Sequence, residues 1–366
     1  MRKILFVFNG PIFGGAERHT FDLAQGLIAY GVTPIIFAMK AGPLSAPEHV
    51  TMLQPLMSCS LAVRIRDLAE CIMVECPDII ICVNERPVFA SFIARKLAKS
   101  KTPIAAILHS TLLKSTKEKL FQLIYTPILN RIERVIFISQ NQRNYWQRRG
   151  MKPKTETVIL NGIDTAHYSQ QICAQYRTSM RHSLGFAETD IVIGLSAVMR
   201  SEKNHMQAVR VLGQLRAKGV PAKLLLVGGG ALRTDIEAYV EAQGLSAHVV
   251  FAGMQSDVRP YIAAFDIGII CSVSVETLSL SALEIMAMGI PMVMSAIGGA
   301  SEIIDPTTGR LFKAQDDEDF YEALTSLLPK DVRESAGKAS RVKVEMFFDH
   351  STMTKLYFEH LNHLLD

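Results

Sequence analysis

The sequence of 366 residues lacks the features that mark several classes of protein. No apolar run reaches the roughly 18–20 residues that a membrane-spanning helix needs. The six cysteines show no zinc-like or disulfide-scaffold spacing, because no second Cys or His pair accompanies Cys71 and Cys76. Repeats and low-complexity tracts are also absent, and 49% of the residues are hydrophobic, which excludes a disordered chain. These observations predict a globular protein whose thiols stay free in a reducing cytoplasm.

The first ten residues, MRKILFVFNG, begin in the manner of a signal peptide. Their apolar run is short and no small-residue cleavage site follows, so we expect a buried first strand instead. The chain is also too long for one ordinary hydrophobic core, since single cores rarely serve more than about 250–300 residues. Two domains are therefore expected.

Positive charge is concentrated in the first half of the chain. Residues 1–164 carry 21 Lys and Arg against 12 Asp and Glu, whereas residues 165–366 carry 18 against 23. The net charges are therefore +9 and −5, in agreement with the +4 of the whole chain. A basic half indicates an anionic partner. Because no zinc-finger, RRM or other nucleic-acid-binding signature is present, we expect no nucleic acid, and an anionic membrane surface and a phosphate-bearing acceptor both stay open.

Short apolar runs alternate with longer amphipathic stretches, which is typical of βαβ units with helices on both faces of a parallel sheet. Strands are expected at 3–8, 34–38, 78–83, 103–108, 134–138, 156–160, 191–198, 223–228, 248–252, 266–271 and 290–294. This pattern predicts an α/β chain of two doubly wound domains that face each other across a cleft. The expected domains are 1–164 and 191–366, joined by a polar linker at 165–190, with the last helix, about 345–366, packed back on the first domain.

Glycine-bearing turns follow several of the expected strands. Ligands of open α/β sheets lie beyond the carboxyl ends of strands, where loops lead into helix N-termini. Gly14 and Gly15 occupy such a turn, and VGGGALRTD (227–235) and AIGGASEII (296–304) repeat the pattern. None has the G-x-G-x-x-G spacing of a dinucleotide site, and each alone is more often a simple turn. Three such turns divided between two domains favour phosphate binding.

Cationic and titratable side chains also follow expected strands. Arg200 and Lys203, in SAVMRSEKNH, offer a planar donor fork and a mobile ammonium, which together suit a diphosphate. A solvated basic turn is the alternative. His109, in IAAILHS, is placed to bind a phosphate or sugar hydroxyl, or to act as acid or base near neutral pH. A purely structural histidine is the alternative there.

Two glutamates, Glu276 and Glu284, lie in an apolar stretch with seven residues between them. Ser281 and Glu284 fit a capping box, in which the glutamate would satisfy the backbone of its own helix. If the helix instead begins near Ser279, Glu284 lies one turn inside it and is free to face a ligand. Both interpretations stay open on the sequence alone.

Together these residues resemble the retaining glycosyltransferases of family 4, which have the two-domain GT-B fold. The resemblance runs in order through nearly the whole chain. It is carried by GGAER (14–18), FISQNQRNYWQRRG (137–150), VILNGID (158–164), RSEKNH (200–205), FAGMQSDV (251–258), AAFDIGIICS (263–272), ETLSLSALEIMAMGIPMV (276–293) and GGASEII (298–304). The element that contains both glutamates is specific to the family, whereas glycine turns of this kind occur in many other proteins.

The resemblance implies a role for each motif residue. Glu276 would lie beside the hydroxyls of the donor sugar, Glu284 would bind the nucleotide ribose, and the amides from Leu278 to Leu280 would meet the diphosphate. The implied catalytic residues are His109, Glu276, Arg200 and Lys203. The implied donor-binding residues are Gly14, Gly15, Arg200, Lys203, Gly253, Met254, Glu276, Thr277, Leu278, Ser279, Leu280 and Glu284.

The sequence departs from the family pattern at two places. Thr277 and Ser279 stand where the commoner sequence has glycines, which adds side chains beside the donor sugar and narrows the expected choice of donor. Many members carry an arginine at the position of Val198, and Arg200 stands closer to Lys203 instead. Lys203 therefore matches the family position directly, whereas Arg200 does not.

The resemblance implies transfer of a hexose with retention and without a cofactor. Metal independence is expected because fixed cations and a helix end stabilise a leaving diphosphate. A UDP-sugar is favoured over a GDP-sugar as donor. A saccharide or lipid-linked acceptor in cell-surface polysaccharide or lipopolysaccharide synthesis is favoured as acceptor. A nucleotide-sugar epimerase of GT-B shape and a non-catalytic nucleotide-sugar-binding protein are the alternatives.

The expected location is the cytoplasm, with peripheral contact with the inner face of the membrane as a hypothesis. Residues 95–129 mix lysines with an apolar face, as interfacial helices do. A helix that packs on its own domain with solvated lysines explains the same pattern equally well.

Overall fold

The chain divides into two units with one parallel β-sheet each. The first unit comprises Met1–Asn161 and His350–Asp366, and the second comprises Gly162–Asp349. The computed structural model describes residues 2–11, 14–55, 60–109, 116–274 and 276–365.

The first unit contains a seven-stranded sheet in the order β3-β2-β1-β4-β5-β6-β7. Its strands are β1 (Arg2–Phe8), β2 (Val32–Ala38), β3 (Thr51–Leu53), β4 (Ile79–Val83), β5 (Ile104–Leu108), β6 (Arg134–Phe137) and β7 (Glu156–Val158). The helices between them are α1 (Gly15–Ile28), α2 (Leu61–Glu75), α3 (Glu85–Leu97), α4 (Thr116–Leu129) and α5 (Gln140–Gln147). β4 and β5 are buried at every position, as expected for central strands of a parallel sheet that is covered on both faces.

The second unit contains a six-stranded sheet in the order β10-β9-β8-β11-β12-β13. Its strands are β8 (Ile191–Ser196), β9 (Ala222–Val227), β10 (Val249–Gly253), β11 (Ile267–Ile270), β12 (Met292–Ser295) and β13 (Gly309–Phe312). Its helices are α6 (Gln170–Ser183), α7 (His205–Ala217), α8 (Arg233–Ala242), α9 (Arg259–Ala263), α10 (Leu280–Ala287), α11 (Ala300–Ile303), α12 (Asp317–Thr325) and α13 (Lys330–Phe347).

All eleven predicted strands are present, each within a few residues of its predicted bounds. The two strands that the sequence did not predict, β3 and β13, each form one edge of a sheet. β3 has no buried residue and β13 is only half buried, so neither shows the apolar run of a central strand. The α/β fold with two doubly wound parallel sheets is confirmed.

The segment predicted as a linker, 165–190, contains α6 and belongs to the second unit. Two arginines attach this helix to Asp266. Arg177 Nη2 lies 2.5 Å from one carboxylate oxygen, and Arg181 Nη1 lies 2.9 Å from the other. Because guanidinium groups and not an apolar stripe make this attachment, the sequence shows no sustained hydrophobic period there.

The end of the chain lies in the first unit as α14 (His350–Asn362), which contacts α1. Its residue Tyr357 is fully buried. His350 Nε2 lies 2.9 Å from the carbonyl oxygen of Asp22, and His360 Nδ1 lies 2.9 Å from Arg134 Nη1. The helix is therefore held by both apolar and polar contacts.

Within the described ranges, no helix combines the length and the apolar composition that crossing a bilayer requires. Cys59 lies outside those ranges. The described cysteines are free thiols, namely Cys71, Cys76, Cys82, Cys173 and Cys271.

Two histidines are buried in the cores of the units. His19 in α1 and His205 at the start of α7 are each 2% exposed. Burial is the main cause that lowers the pKa of His19 well below its ordinary value. Burial, assisted by the positive charge of Lys203, lowers the pKa of His205 to about 4. Both rings are therefore uncharged at neutral pH.

We expect the protein to lose stability in mild acid. Below about pH 6.5 the unfolded chain binds a proton at His205, whereas the folded chain does not until the pH approaches 4. Above pH 6.5 His205 is neutral in both the folded and the unfolded chain and does not lower stability. At pH 5 its protonation in the unfolded chain lowers the free energy of unfolding by about 2 kcal/mol.

Urea unfolding at pH 7.5 and pH 5 measures this effect. The variant His205→Gln should lose about 2 kcal/mol less than the wild type between the two pH values. His182→Gln, at an exposed position of α6, is the control and should keep the wild-type pH dependence. Equal losses in the wild type and His205→Gln would contradict the prediction.

Candidate active site

The sheet of the second unit reverses its strand order between β8 and β11. From these neighbours, β9 and β10 extend to one side, and β12 and β13 extend to the other. Ligands of open α/β sheets bind beyond the carboxyl ends of the strands at such a switch point. The loops that follow β8 and β11 meet there, since the amide of Val273 donates to the carbonyl oxygen of Glu202 over 2.9 Å.

An ion pair joins these two loops. Lys203 ends a short 3-10 turn, Ser201–Lys203, and its Nζ lies 2.6 Å from Oε2 of Glu276. The two side chains are only 17% and 8% exposed. Ser272 Oγ donates to the same oxygen over 2.7 Å. The structure thus brings together two predicted site residues from opposite sides of the switch point.

The helix that contains Glu284 begins at Leu280, with Ser279 as its N-cap. The Ser279 hydroxyl accepts a hydrogen bond from the amide of Ala282 over 3.4 Å. The capping-box interpretation of Ser281 and Glu284 is therefore wrong, because the cap lies two residues earlier. Glu284 lies inside the helix and is 3% exposed. The positive end of α10 therefore lies at Leu280, within the predicted donor-binding segment.

The glycine turn after β12 packs against the segment that begins at Glu276. Gly298 has φ +57°, and a Cβ atom on it would lie 1.7 Å from the carbonyl oxygen of Glu276. Gly299 donates its amide to that same oxygen over 3.0 Å, and a Cβ atom on it would lie 2.2 Å from the carbonyl oxygen of Thr277. These glycines therefore allow a close approach of two backbones, and they fix the backbone of Glu276 through its carbonyl oxygen.

The glycine turn after β9 supports the other loop. A Cβ atom on Gly228 would lie 2.2 Å from the carbonyl oxygen of Ala197, and one on Gly230 would lie 2.5 Å from that of Met199. The amide of Met199 donates to the carbonyl oxygen of Gly229 over 2.8 Å. This turn therefore packs against the loop that carries Arg200 and Lys203.

The other predicted donor-binding residues near α10 are largely buried. Thr277 and Leu278 are each 6% exposed and Ser279 is 4% exposed, whereas Leu280 is partly buried. Their backbone follows directly from Glu276 into the helix. This segment is therefore held in a fixed conformation at the start of α10.

Three predicted residues stand apart from the ion pair. The Arg200 side chain is 58% exposed, and its guanidinium lies 3.7 Å from the carboxylate of Glu202 and not against Glu276. Gly253, with φ +73°, ends β10 two strands away from β8. Met254 follows it and is 66% exposed. Arg200 is therefore a surface cation that does not take part in the pair of Lys203 and Glu276.

In the first unit, the predicted residues follow β1 and β5. Gly14 precedes α1 in an extended conformation, and a Cβ atom on it would lie 2.5 Å from a carboxylate oxygen of Glu17. Gly15 is the first residue of α1. The amide of His109 donates to Oδ1 of Asn84, the residue that follows β4, over 2.8 Å. Each of these loops thus lies at the carboxyl end of its sheet.

His109 contacts a second histidine. Its ring lies edge to face against His19, with centroids 4.8 Å apart, and the other side of His19 meets Tyr357 of α14 at 5.6 Å. Burial lowers the pKa of His109 to about 4. The His109 ring is therefore neutral at pH 7 and offers one hydrogen-bond donor and one acceptor.

Several residues of this site were not predicted from the sequence. Ser272 lies four residues before Glu276, which gives no local signal of a contact because the segment between them is irregular. The supporting roles of Gly298 and Gly299 also required the structure, since their partners lie more than twenty residues away. The pairing of His19 with His109 joins a helix to the end of a distant strand.

The chain matches two descriptions of glycosyltransferases. Residues 13–167 match "Glycosyltransferase Family 4", and residues 177–343 match "Glycosyl transferases group 1". The putative glycosyltransferase EpsD of Bacillus subtilis is 27% identical over 53% of this chain and 51% of its own length. A GDP-mannose-dependent monoacylated α-(1-6)-phosphatidylinositol monomannoside mannosyltransferase of Corynebacterium glutamicum is 28% identical over 58% of both chains. The chain spans about half the length of these curated relatives.

Solved structures match over nearly the whole chain. The Anabaena protein Alr3699/HepE, crystallised with UDP, has a TM-score of 0.84 at 20% identity and covers 99% of this chain and 100% of its own. WaaG, a glycosyltransferase involved in lipopolysaccharide biosynthesis, has a TM-score of 0.75 at 16% identity and covers 96% and 99%. The fold is therefore that of the GT-B glycosyltransferases, with two Rossmann-like domains. Since the two family matches together span most of the sequence, the chain belongs to glycosyltransferase family 4, among the group 1 glycosyl transferases.

Proposed function

We propose that this glycosyltransferase moves a hexose from a nucleotide-diphosphate donor to an acceptor with retention of anomeric configuration and without a metal. The observation that supports it most is the buried pair of Lys203 and Glu276 at the switch point of the second unit. The N-terminus of α10 begins only four residues after Glu276. A cation, a carboxylate and a helix end thus meet where ligands of this fold class bind.

The chemistry of transfer fits this combination of groups. Cleavage of the bond between the sugar and the diphosphate places negative charge on the leaving group and positive charge on the anomeric carbon. Lys203 and the amides at the start of α10 are suited to stabilise the leaving diphosphate, and Glu276 is suited to contact the sugar. In the proposed reaction the departing phosphate accepts the proton of the acceptor hydroxyl on the same face, so a separate carboxylate base is not required.

UDP is the proposed nucleotide, with GDP as the second choice. HepE has been crystallised with UDP, with UDP and glucose, and with UDP-glucose, which supports a UDP-sugar. Two curated relatives are mannosyltransferases that depend on GDP-mannose, which supports a GDP-sugar. The buried Thr277 and Ser279, where the commoner sequence has glycines, are proposed to restrict the sugars that the site accepts.

The roles of the remaining predicted residues stay proposals as well. The Arg200 side chain is exposed, and its ion pair with Glu202 is long, at 3.7 Å. Because little holds this side chain in place, Arg200 is proposed to bind the diphosphate after a change of rotamer. His109, neutral at pH 7, is proposed to hydrogen-bond the transferred sugar and not to donate a proton. Gly14 and Gly15, at the start of α1, are proposed to let the backbone approach the donor closely.

A lipid-linked saccharide at a membrane surface is the proposed acceptor. The helix α4 exposes Leu120 and Leu123, at 64% and 71%, and also Ile124, at 48%. These residues are three and four positions apart and lie on one face of the helix. Lysines accompany them in the sequence 95–129, of which residues 110–115 lie outside the described ranges. An apolar face beside basic residues is typical of interfacial helices, and WaaG offers a structural relative in lipopolysaccharide synthesis.

A donor screen tests the proposed reaction. Thermal unfolding in the presence of UDP-, GDP- and ADP-sugars should show a rise in Tm with the true donor, because a ligand bound only by the folded state stabilises it. Nucleoside diphosphate should then be released when a membrane extract or a saccharide acceptor is added, and NMR of the product should show the donor's anomeric configuration. Stabilisation without release would indicate a binding protein, and isomerisation of the sugar without an acceptor would indicate an epimerase.

We expect Lys203→Met and Glu276→Gln each to lower kcat/KM for the donor about 100-fold or more, since each removes a fixed charge from the reacting groups. Lys203→Met should also weaken binding of the nucleoside diphosphate, whereas Glu276→Gln should affect the sugar and leave that binding nearly unchanged.

Two exposed residues of the same unit provide matched controls. Lys218→Met and Glu241→Gln carry the same changes of charge at surface positions and should keep wild-type kinetics. If Lys203→Met and Glu276→Gln are as active as these controls, the pair does not serve the reaction.

The membrane hypothesis predicts salt-sensitive binding to anionic vesicles. The purified chain should float with vesicles of phosphatidylglycerol and phosphatidylcholine at low salt, and the double variant Leu120→Ser, Leu123→Ser should bind at least tenfold more weakly. Val74→Ser, which changes a 71% exposed apolar residue on α2, is the control. Absence of wild-type binding at low salt would refute the hypothesis without affecting the donor reaction.

A further inference from the structure

We infer that Ser272 is a positioning residue that holds the carboxylate of Glu276 for the donor sugar. The inference rests on the proposed function, because Glu276 is the group that would contact the sugar. It adds a residue to which the sequence analysis assigned no role, although Ser272 ends the motif AAFDIGIICS, and it gives the two carboxylate oxygens of Glu276 different tasks.

Ser272 belongs to a buried series of hydrogen bonds. Its hydroxyl donates to Oε2 of Glu276 over 2.7 Å, and its carbonyl oxygen accepts a hydrogen bond from Oγ of Ser295 over 2.7 Å. Ser272 is 0% exposed and Ser295 is 1% exposed. The serine therefore has a fixed backbone position, set by β12, from which its hydroxyl reaches the carboxylate.

Among the residues that the structure describes, the bonds from Lys203 and Ser272 to the Glu276 side chain both end on the same oxygen. Oε2 accepts from Ser272 and from Lys203, which leaves Oε1 to accept a hydroxyl of the donor sugar. A carboxylate held at one oxygen only by a long, flexible lysine would rotate whenever that lysine moved. The serine hydroxyl, one atom from a fixed backbone, prevents this rotation.

Ser272 matters most when the donor is bound. In the proposed function Lys203 stabilises the leaving diphosphate, so its ammonium cannot serve Glu276 fully at the same time. Ser272 then remains as the donor that fixes Oε2. The backbone of Glu276 is held separately by Gly298 and Gly299, so the serine controls the side chain and not the path of the chain.

The test compares Ser272→Ala, Ser272→Thr and the control Ser274→Ala, which changes an exposed serine of the same loop. Ser272→Ala should lower kcat/KM by about 10- to 100-fold, the range expected for one hydrogen bond to a charged group. The probe is whichever of the UDP-, GDP- and ADP-sugars the wild type uses best. Affinity for the matching free nucleoside diphosphate should change less than twofold, because Ser272 positions the carboxylate that contacts the sugar and not the groups that contact the diphosphate. Ser272→Thr keeps the hydroxyl and should recover most of the activity.

A double-mutant cycle separates positioning from a general structural role. In the Glu276→Gln background, Ser272→Ala should cost less than threefold in kcat/KM, because the carboxylate on which it acts is already gone. If it costs as much as in the wild type, or if nucleoside diphosphate affinity falls in parallel with kcat/KM, Ser272 only supports the loop and the inference is overturned. If Ser272→Ala does not fold, Ser272→Cys, which keeps the size but donates weakly, takes its place in the cycle.

The outcome also distinguishes this inference from the proposed function. A wild-type chain that releases no nucleoside diphosphate from any of the sugar nucleotides refutes the proposed function, and the role of Ser272 is refuted with it. A wild-type chain that is active while Ser272→Ala matches Ser274→Ala refutes only the role of Ser272.

Discussion

The ion pair between Lys203 and Glu276 is the interaction on which the site of the second unit depends. Both side chains are largely withdrawn from water, so removal of one partner would leave an uncompensated charge in a region of low polarity. The pair also crosses the point where the strand order reverses, and thereby fixes the loop after β8 relative to the loop after β11. Only three residues separate Glu276 from the first residue of α10, so the same pair determines where the positive end of that helix lies.

Close backbone contacts make this arrangement rigid. Any side chain at Gly298 or Gly230 would collide with a neighbouring carbonyl oxygen, so these positions require glycine for reasons of space as well as conformation. The first supports the segment that begins at Glu276, and the second supports the loop that carries Lys203. Glycine-bearing turns that suggest phosphate binding in the sequence therefore act in the second unit as supports for the charged residues. The groups that are proposed to face the ligand are on the loops against which these turns pack.

The sequence predicted the central strands and the class of the fold because buried parallel strands are nearly continuous apolar runs. It did not predict β3, β13 or α6, since edge strands are half exposed and α6 is attached by Arg177 and Arg181 through polar contacts. Within the site, the pattern of motifs identified Lys203 and Glu276 but not their direct contact. The start of α10 could not be decided from the sequence because Ser279 and Ser281 are equally good caps, and only the backbone shows that Ser279 serves. Ser272 was missed because its contact depends on an irregular loop.

The contact of Lys203 with Glu276 has a consequence for the proposed reaction. In the structure its ammonium lies 2.6 Å from the Glu276 carboxylate and compensates the charge of that group. In the proposed reaction a bound diphosphate shares the same ammonium through its phosphate oxygens, and the negative charge of Glu276 is then less compensated. Under the proposal that charge lies beside the sugar when positive charge develops at its anomeric carbon, and the electrostatic attraction between them would favour the transition state. A single lysine would thus couple donor binding to the activation of the carboxylate. Such coupling requires that Glu276 stay in place while Lys203 moves, and the buried hydroxyl of Ser272 together with the amide of Gly299 provides that fixed attachment.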